Sequence, residues 1–276
     1  MSVVIITDST SYLSPAIIDQ YQIKLIPLNI HINGESFKEG QKYTNETYYN
    51  LLKNNPIFPT TSQPSTGEFL EVFEQLLPGD QALIILISSG ISGTVQSAQI
   101  ARSMVTTPDV SITIVDSVYA AMGLGFQVIR ACELLEDGKN IAEIVDELNR
   151  IRTRMQLFFV VNDLEYLSRG GRISKIGSVV GNILKLKPVL SLEDGEIGLF
   201  EKVRTFPKAV GLIRDQLIKE KSHIEKICVI HVNAPELAEA LKKELEAIFT
   251  IPIIISEPGP VIGSHVGPGT IGLCYY

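Results

Sequence analysis

The sequence of 276 residues contains no tryptophan, only three cysteines and only four histidines. Cys132, Cys228 and Cys274 are widely spaced and odd in number, so we expect buried thiols rather than disulfides or metal ligands. The spacing of the histidines is not typical of a metal site. The sequence therefore predicts neither a disulfide framework nor a bound metal, and we expect no cofactor.

Positive charge and long apolar runs are also scarce. The 24 lysines and arginines are outnumbered by 31 aspartates and glutamates, and the net charge of −7 argues against nucleic acid as a partner. No run of about 18 apolar residues could span a membrane, and the first residues lack the basic start and cleavage site of a signal peptide. We therefore expect a cytoplasmic globular protein with at most transient membrane contact.

The stretch from residue 82 to residue 98 gives the clearest functional signal. Ala82 to Ile87 is a short apolar run, typical of a strand buried on both faces of a parallel sheet. Serines and glycines follow at 88–93, and a helical pattern begins at Thr94. The first N–H groups of a helix have no partner within it and carry partial positive charge. The loop therefore predicts an anion site at the carboxyl end of a sheet.

The composition of this loop limits the choice of anion. A Walker-type phosphate loop requires a lysine, and none lies between Ile84 and Met104. Residues 90–94 come near the G-x-S-x-G nucleophile elbow of hydrolases, but Thr94 stands in place of its last glycine. A carboxylate held by hydroxyl and N–H groups fits best, because it needs no cation. A serine-rich helix cap that binds nothing is the alternative.

Two other loops are rich in hydroxyl groups. One is the segment 7–11, which follows an apolar strand at 3–6. The other is the segment 59–65, which two prolines hold extended. For Thr61 and Ser62, local capping of the backbone is the alternative to ligand binding.

Strands alternate with helices through the first half of the chain, which is the pattern of a doubly wound α/β fold. The strands are predicted at 3–6, 23–32, 82–87 and 111–115, with a loop at 33–46 and a short helix at 47–53. Near residue 156 the composition changes. The second half predicts strands at 157–161, 189–192, 197–203, 226–232 and 251–256, and helices at 208–221 and from Pro235, with a short helical stretch through 179–184.

We therefore predict two α/β domains, residues 1–156 and residues 157–276. The first should have a mainly parallel sheet with helices on both faces, and the second should be a smaller α/β sandwich. Asp194 and Gly195 predict a hairpin in the second domain.

The segment 259–272 contains five glycines and two prolines around His265. This composition predicts a loop with a fixed backbone path, from which His265 projects. A turn with a solvent-exposed histidine is the alternative.

Seven segments resemble, in order, those of the DegV family: Asp8–Thr10, Thr61–Ser65, Ser88–Thr94, Gly170–Ile173, Leu186–Pro188, Val203–Thr205 and Gly259–Gly267. The resemblance covers nearly the whole chain, and the set of motifs is specific although no single motif is. Members of this family bind a long-chain fatty acid between two α/β domains. Some serve as the noncatalytic subunit of a bacterial fatty acid kinase and present the acid to a separate kinase protein, which phosphorylates its carboxylate with ATP.

The resemblance implies roles for individual residues. Thr61 and Ser92 would donate hydrogen bonds to the carboxylate of a ligand such as palmitate, stearate or oleate, and His265 would belong to the same polar network. Arg172 and Arg204 would lie on the surface that meets the kinase. The fatty-acid-binding positions that the resemblance implies are Thr61, Ser62, Ser92, Gly93, Thr94 and His265.

Two other functions compete with this one. An ester or thioester hydrolase would use Ser92 as nucleophile, Asp163 as orienting residue and His265 as base, in the chain order of α/β-hydrolases. The incomplete nucleophile elbow argues against it. A DNA-associated regulator is disfavoured by the acidic charge and by the lack of a helix-turn-helix pattern.

Overall fold

The computed structural model describes residues 3–54, 58–173 and 187–276. The helical stretch predicted through 179–184 lies outside the described residues. Within them, no helix is both long enough and apolar enough to cross a membrane. The three cysteines are buried and their thiols are free, as the sequence predicts.

The chain forms two compact units. The N-terminal unit comprises Met1–Asn29 and Thr61–Arg154, and the C-terminal unit comprises Ile30–Thr60 and Met155–Tyr276. The predicted domains, 1–156 and 157–276, differ from these units in the assignment of residues 30–60 and 155–156, which the sequence pattern places in the first domain.

The elements up to the last helix of the N-terminal unit are β1 (Val3–Asp8), α1 (Pro15–Tyr21), β2 (Lys24–Ile26), β3 (Asn29–Ile32), β4 (Glu35–Lys38), α2 (Asn45–Asn54), β5 (Thr60–Ser62), α3 (Thr66–Phe73), β6 (Gln81–Leu86), α4 (Thr94–Met104), β7 (Ser111–Asp116), α5 (Met122–Glu136) and α6 (Ile141–Arg154). The remaining elements are β8 (Gln156–Val160), α7 (Glu165–Arg169), β9 (Lys187–Glu193), β10 (Glu196–Val203), α8 (Phe206–Lys219), β11 (Ile227–His231), α9 (Pro235–Glu246), β12 (Ile253–Ser256), α10 (Pro260–Val266) and β13 (Ile271–Tyr275).

The N-terminal unit contains an entirely parallel sheet with the strand order β2-β1-β6-β7. Its strands are apolar on both faces because helices cover both. Ile84 and Leu86 pack with Phe69 of α3 and Ala98 of α4. Ile85 points to the opposite face, where α5 contacts β1 and β6. The parallel sheet flanked by helices confirms the fold class predicted for the first domain.

The C-terminal unit contains a six-stranded sheet with the order β10-β9-β8-β13-β11-β12. Its neighbouring strands are antiparallel except for β11 and β12. A core that includes Ile213 of α8 and Leu241 of α9 packs with this sheet. Asp194 and Gly195 have φ values of 49° and 81° in the predicted hairpin turn. A further sheet of three short strands has the order β4-β3-β5.

The strand predicted at 23–32 is wrong, because Pro27 divides it into two. β2 ends at Ile26 and β3 begins at Asn29. Proline has no N–H group to donate to a sheet and is confined to strand ends and edges. Leu28 donates its N–H to the hydroxyl of Ser9 at 3.1 Å instead.

The loop predicted at 33–46 is wrong as well, since it contains β4. Asn33 and Gly34, which adopt φ values of 53° and 79°, form the turn between β3 and β4. An Asn-Gly pair is a strong hairpin signal, so this turn was open to prediction from the sequence.

The loop predicted around His265 is also wrong. His265 lies in the last turn of α10, and β13 follows it. Pro260 occupies the first helical position, where its missing N–H group has no consequence, and Gly267 ends the helix with a φ of 77°. Gly259, Pro260 and Gly267 of this segment therefore mark the ends of a helix.

Glycine-to-alanine substitutions should have opposite effects on stability at two helical positions. A Cβ atom at Gly125 of α5 would lie 2.6 Å from the backbone oxygen of Ser11, whereas one at Gly211 of α8 would meet nothing closer than 4.0 Å. Gly125→Ala should lower the free energy of unfolding by ~1–3 kcal/mol through overpacking. Gly211→Ala should raise it by up to ~1 kcal/mol through helix propensity. Urea titrations of both variants check this, and equal effects would contradict the close packing of α5 on residue 11.

Candidate functional site

The loop after β6 carries three of the predicted site residues. The hydroxyl oxygens of Ser92 and Thr94 lie 2.8 Å apart, and Gly93 precedes the first residue of α4 without a side chain to cap the helix. Thr94 is buried, whereas Ser92 is partly accessible. The backbone N–H of Ser92 donates to the carbonyl of Ser88 at 3.1 Å, which bends the loop back toward β6.

The loop that carries Thr61 and Ser62 packs against this one within the N-terminal unit. A Cβ atom at Gly93 would lie 2.6 Å from the side-chain nitrogen Nε2 of Gln63. The side chain of Gln63 therefore packs directly on Gly93, the residue before α4. Thr61 and Ser62 are partly accessible. We call residues 61–62 and 92–94 the hydroxyl loops.

The start of α3 explains part of this arrangement. Ser65 accepts the N–H of Glu68 at 3.2 Å, and the carboxylate of Glu68 accepts the N–H of Ser65 at 2.8 Å. This reciprocal capping box follows from the spacing of the two residues in the sequence. It satisfies the N–H groups of Ser65 and Glu68.

A buried carboxylate joins the ends of β1 and β6. Asp8 accepts hydrogen bonds from the N–H of Ile87 at 2.7 Å, the N–H of Thr10 at 2.9 Å and the hydroxyl of Thr10 at 2.5 Å. We call these three bonds the Asp8 clamp. They join the ends of two neighbouring strands that connect in opposite directions along the sheet: β1 leads to β2 at one edge, and β6 leads to β7 at the other. Ligand sites in such folds usually lie at this point. Burial raises the pKa of Asp8 to about 6 against the opposing effect of these hydrogen bonds.

The loop after β7 is tied to the same region. Asp116 accepts the hydroxyl of Ser89 at 2.5 Å, and the carbonyl of Tyr119 accepts the N–H of Ser88 at 2.9 Å. Val118 and Ala121 adopt positive φ values of 54° and 49°, which are strained for residues with a side chain. The sequence gives no signal for this strain.

His265 occupies a crowded position in the C-terminal unit. A Cβ atom at Gly170 would collide with the Nδ1 atom of its imidazole, so only glycine allows this approach. The guanidinium of Arg172 donates to the carbonyl of Gly170 at 2.6 Å. Burial and then the charge of Arg172 lower the pKa of His265 to about 4. The imidazole is therefore neutral at physiological pH and can donate one hydrogen bond and accept another.

The two arginines predicted to meet a partner differ in their surroundings. Arg172 is half-buried, and this burial lowers its pKa. Arg204 is exposed directly after β10. Neither the contact of Arg172 with Gly170 nor its effect on His265 was predicted from the sequence.

Asp163 has a local role. It is exposed, and its carboxylate accepts the N–H of Glu165 at 2.8 Å in the first turn of α7. In a Ser-His-Asp triad, the acidic residue stabilises the imidazolium ion. The charge that acts on His265 is instead that of Arg172, which destabilises the imidazolium. In the described part of the chain, no group of three or more metal-ligating side chains occurs.

The model of the DegV family, described as "Uncharacterised protein, DegV family", matches residues 2–276. The DegV domain-containing protein lin2658 of Listeria innocua is 38% identical over 279 residues, covering 99% of this chain and 98% of the relative. The chain belongs to the DegV family.

Solved structures agree with this assignment. DegV from Bacillus subtilis, a fatty acid binding protein, has a TM-score of 0.92 and 35% identity, covering 100% of this chain and 99% of the other. A stearic acid-binding protein from Eubacterium ventriosum has a TM-score of 0.89 and 27% identity, covering 100% of this chain and 98% of the other. The fold described above is thus shared by proteins that bind fatty acids.

The Asp8 clamp predicts a pH dependence of stability. The pKa of Asp8 is raised from 3.8 to about 6 in the folded protein. Between these two pH values, the folded state therefore keeps a proton that the unfolded chain has already lost. The contribution of Asp8 to the free energy of unfolding should therefore fall as the pH rises from about 4 to about 6, and then stay constant.

Asp8→Asn removes this titration. The difference in unfolding free energy between the wild type and Asp8→Asn, measured by urea titration at several pH values, should decrease over the same interval and be flat above it. A difference that does not change between about pH 4 and 7 would show that Asp8 does not titrate in this way.

Proposed function

We propose that this protein binds a long-chain fatty acid, such as palmitate, stearate or oleate, and holds its carboxylate at the hydroxyl loops. The observation that carries the proposal is the packing of Gln63 against Gly93, which brings the loop of Thr61 to the start of α4. The Bacillus subtilis and Eubacterium ventriosum structures, which bind fatty acids and share the fold over the whole chain, support it.

The chemistry of the hydroxyl loops suits a carboxylate. An anion that leaves water must be hydrogen-bonded, and the hydroxyls of Thr61 and Ser92 together with the N–H groups at the start of α4 supply donors. The alkyl chain then provides most of the affinity, at ~0.8 kcal/mol per buried CH₂ group before the cost of ordering the ligand. The preferred length of the alkyl chain depends on the apolar side chains around it, and no sequence motif identifies these.

We propose that His265 is a further hydrogen-bond donor to the carboxylate. A neutral imidazole can donate a hydrogen bond to a carboxylate oxygen without forming a salt bridge, and its pKa of about 4 keeps it neutral. A carboxylate bound by neutral donors keeps more of its nucleophilic character than one paired with a cation. This is the property needed for phosphorylation of the acid.

We further propose that the protein presents the acid to a separate fatty acid kinase and does not itself catalyse a reaction. The exposed Arg204 and the half-buried Arg172 would both contact this kinase. Because the kinase consumes ATP, the proposal places the protein in the cytoplasm, where acyl phosphate would be formed. The local hydrogen bond between Asp163 and Glu165 and the low pKa of His265 favour this function over ester hydrolysis.

The hydroxyl loops can be tested by removing both donors. In the Ser92→Ala/Thr61→Ala variant, the dissociation constant for oleate should rise at least about tenfold, since a hydrogen bond to a charged group contributes ~1.5–3 kcal/mol. Titration calorimetry measures this, with oleyl alcohol as a ligand that lacks the charge and should bind both proteins equally.

Ser103→Ala serves as the matched control, because this serine lies at the other end of α4 and donates to the carbonyl of Ile100. It should bind oleate as the wild type does. Unchanged oleate affinity in the double variant would exclude the hydroxyl loops as the carboxylate site.

The kinase contact can be tested separately. Arg204→Ala should leave oleate affinity unchanged but slow the formation of acyl phosphate by a cognate kinase, measured as hydroxamate after trapping with hydroxylamine. Arg172→Ala distinguishes contact with the kinase from a structural role, because loss of its bond to Gly170 should also lower the melting temperature. Wild-type rates with both variants would remove the arginines from the proposed contact.

A further inference from the structure

Helix α10, which carries His265, depends on groups that lie far away in the sequence. It has seven residues, and helices of this length are marginal in isolation. Its N-cap, Gly259, offers no side chain, and Pro260 has no N–H group. The helix must therefore be fixed by neighbouring elements, and the segment 30–60 of the same unit supplies them.

Glu39 caps the start of α10. Its carboxylate accepts the N–H of Val261, the first N–H group that the helix offers, at 2.8 Å. A carboxylate at this end also interacts favourably with the helix dipole. Glu39 thus takes the place of the side-chain cap that Gly259 lacks.

Tyr49 of α2 fixes the segment that leads into the helix. It is fully buried, and its hydroxyl donates to the carbonyls of Pro258 at 2.6 Å and Gly259 at 2.9 Å. A Cβ atom at Gly263 would collide with this hydroxyl, so the glycine in the middle of α10 allows the tyrosine to approach.

Tyr48 reaches the residue next to His265. Its hydroxyl lies 2.6 Å from that of Ser264, which in turn lies 2.6 Å from the carbonyl of Pro260. Ser264 has a single hydroxyl proton, and because it donates to Pro260, Tyr48 must donate to Ser264. Burial raises the pKa of Tyr48, so its phenol keeps the proton that this chain of bonds requires.

The opposite side of His265 is fixed by α7 and the turn after it. The imidazole lies against Gly170, and the ring of Tyr166 fills the space above Gly267, where a side chain could not be accommodated. His265 is therefore held between this surface and a helix that the segment 30–60 anchors. Both sides belong to the C-terminal unit.

We propose that Tyr48, through Ser264, and Glu39, through Val261, are positioning residues that orient His265 toward the carboxylate of the bound fatty acid. The proposal rests on the fatty-acid-binding function proposed above and assigns to residues 30–60 a role in recognising the acid group. These residues act through α10 and do not touch the ligand.

The test compares two tyrosine-to-phenylalanine variants. In Tyr48→Phe, the dissociation constant for oleate should rise about three- to tenfold, as expected for the loss of one hydrogen bond, while that for oleyl alcohol stays unchanged. The matched control is Tyr275→Phe, which removes the hydroxyl of a buried tyrosine in β13 that makes no hydrogen bond to α10. The control should bind oleate as the wild type does.

A second readout follows His265 itself. In the ligand-free protein, the imidazole resonances of His265 should shift in Tyr48→Phe and not in Tyr275→Phe, while those of His31 and His223 stay in place. Ser264→Ala should reproduce both effects of Tyr48→Phe, and the double variant should show no additional loss of oleate affinity, because the two hydroxyls act as one unit.

The outcomes separate this inference from the proposed function. Unchanged oleate affinity and unchanged His265 resonances in Tyr48→Phe would overturn the positioning role. Additive losses in the double variant would also overturn it, since Tyr48 would then act independently of Ser264. If the wild type binds neither oleate nor palmitate, the proposed function fails, whereas shifted His265 resonances would still support the link from Tyr48 to His265.

Discussion

The Asp8 clamp is the interaction on which the loop after β6, with residues 92–94, depends. A carboxylate without contact to water is unfavourable unless its oxygens are hydrogen-bonded, and Asp8 meets this requirement by holding Thr10 and Ile87. Ile87 is the first residue after β6, so the clamp fixes the point at which the following loop leaves the sheet. The bonds of Ser88 and Ser89 to the loop after β7 fix the loop from its other side.

Neutral hydrogen-bond donors are found in both units. In the N-terminal unit they are hydroxyl and N–H groups, and in the C-terminal unit the chain prevents His265 from becoming a cation by burying it beside Arg172. A site of this kind holds an anion by the number and direction of its hydrogen bonds. Such a site distinguishes a carboxylate from an alcohol through the charge of the carboxylate and through the direction of these hydrogen bonds.

The sequence predicts those features that depend on neighbouring residues. The parallel sheet follows from apolar runs alternating with helical patterns, and the capping box of Ser65 and the Asp194-Gly195 hairpin follow from spacing and turn chemistry. The contact of Tyr48 with Ser264 joins positions 216 residues apart, and no local pattern indicates it. The environment of His265 was missed for the same reason, because Gly170 and Arg172 approach it from a different element.

The discontinuous composition of the two units has a consequence for synthesis on the ribosome. Residues 30–60 leave the exit tunnel about 200 residues before the helix that they anchor and before the strand β13, which lies inside the six-stranded sheet. The C-terminal unit can therefore complete its core only after residues 260–275 have left the exit tunnel. Until then, Tyr48 and Tyr49 lack the partners that bury them, and a nascent chain that stalls before residue 260 exposes both to chaperones.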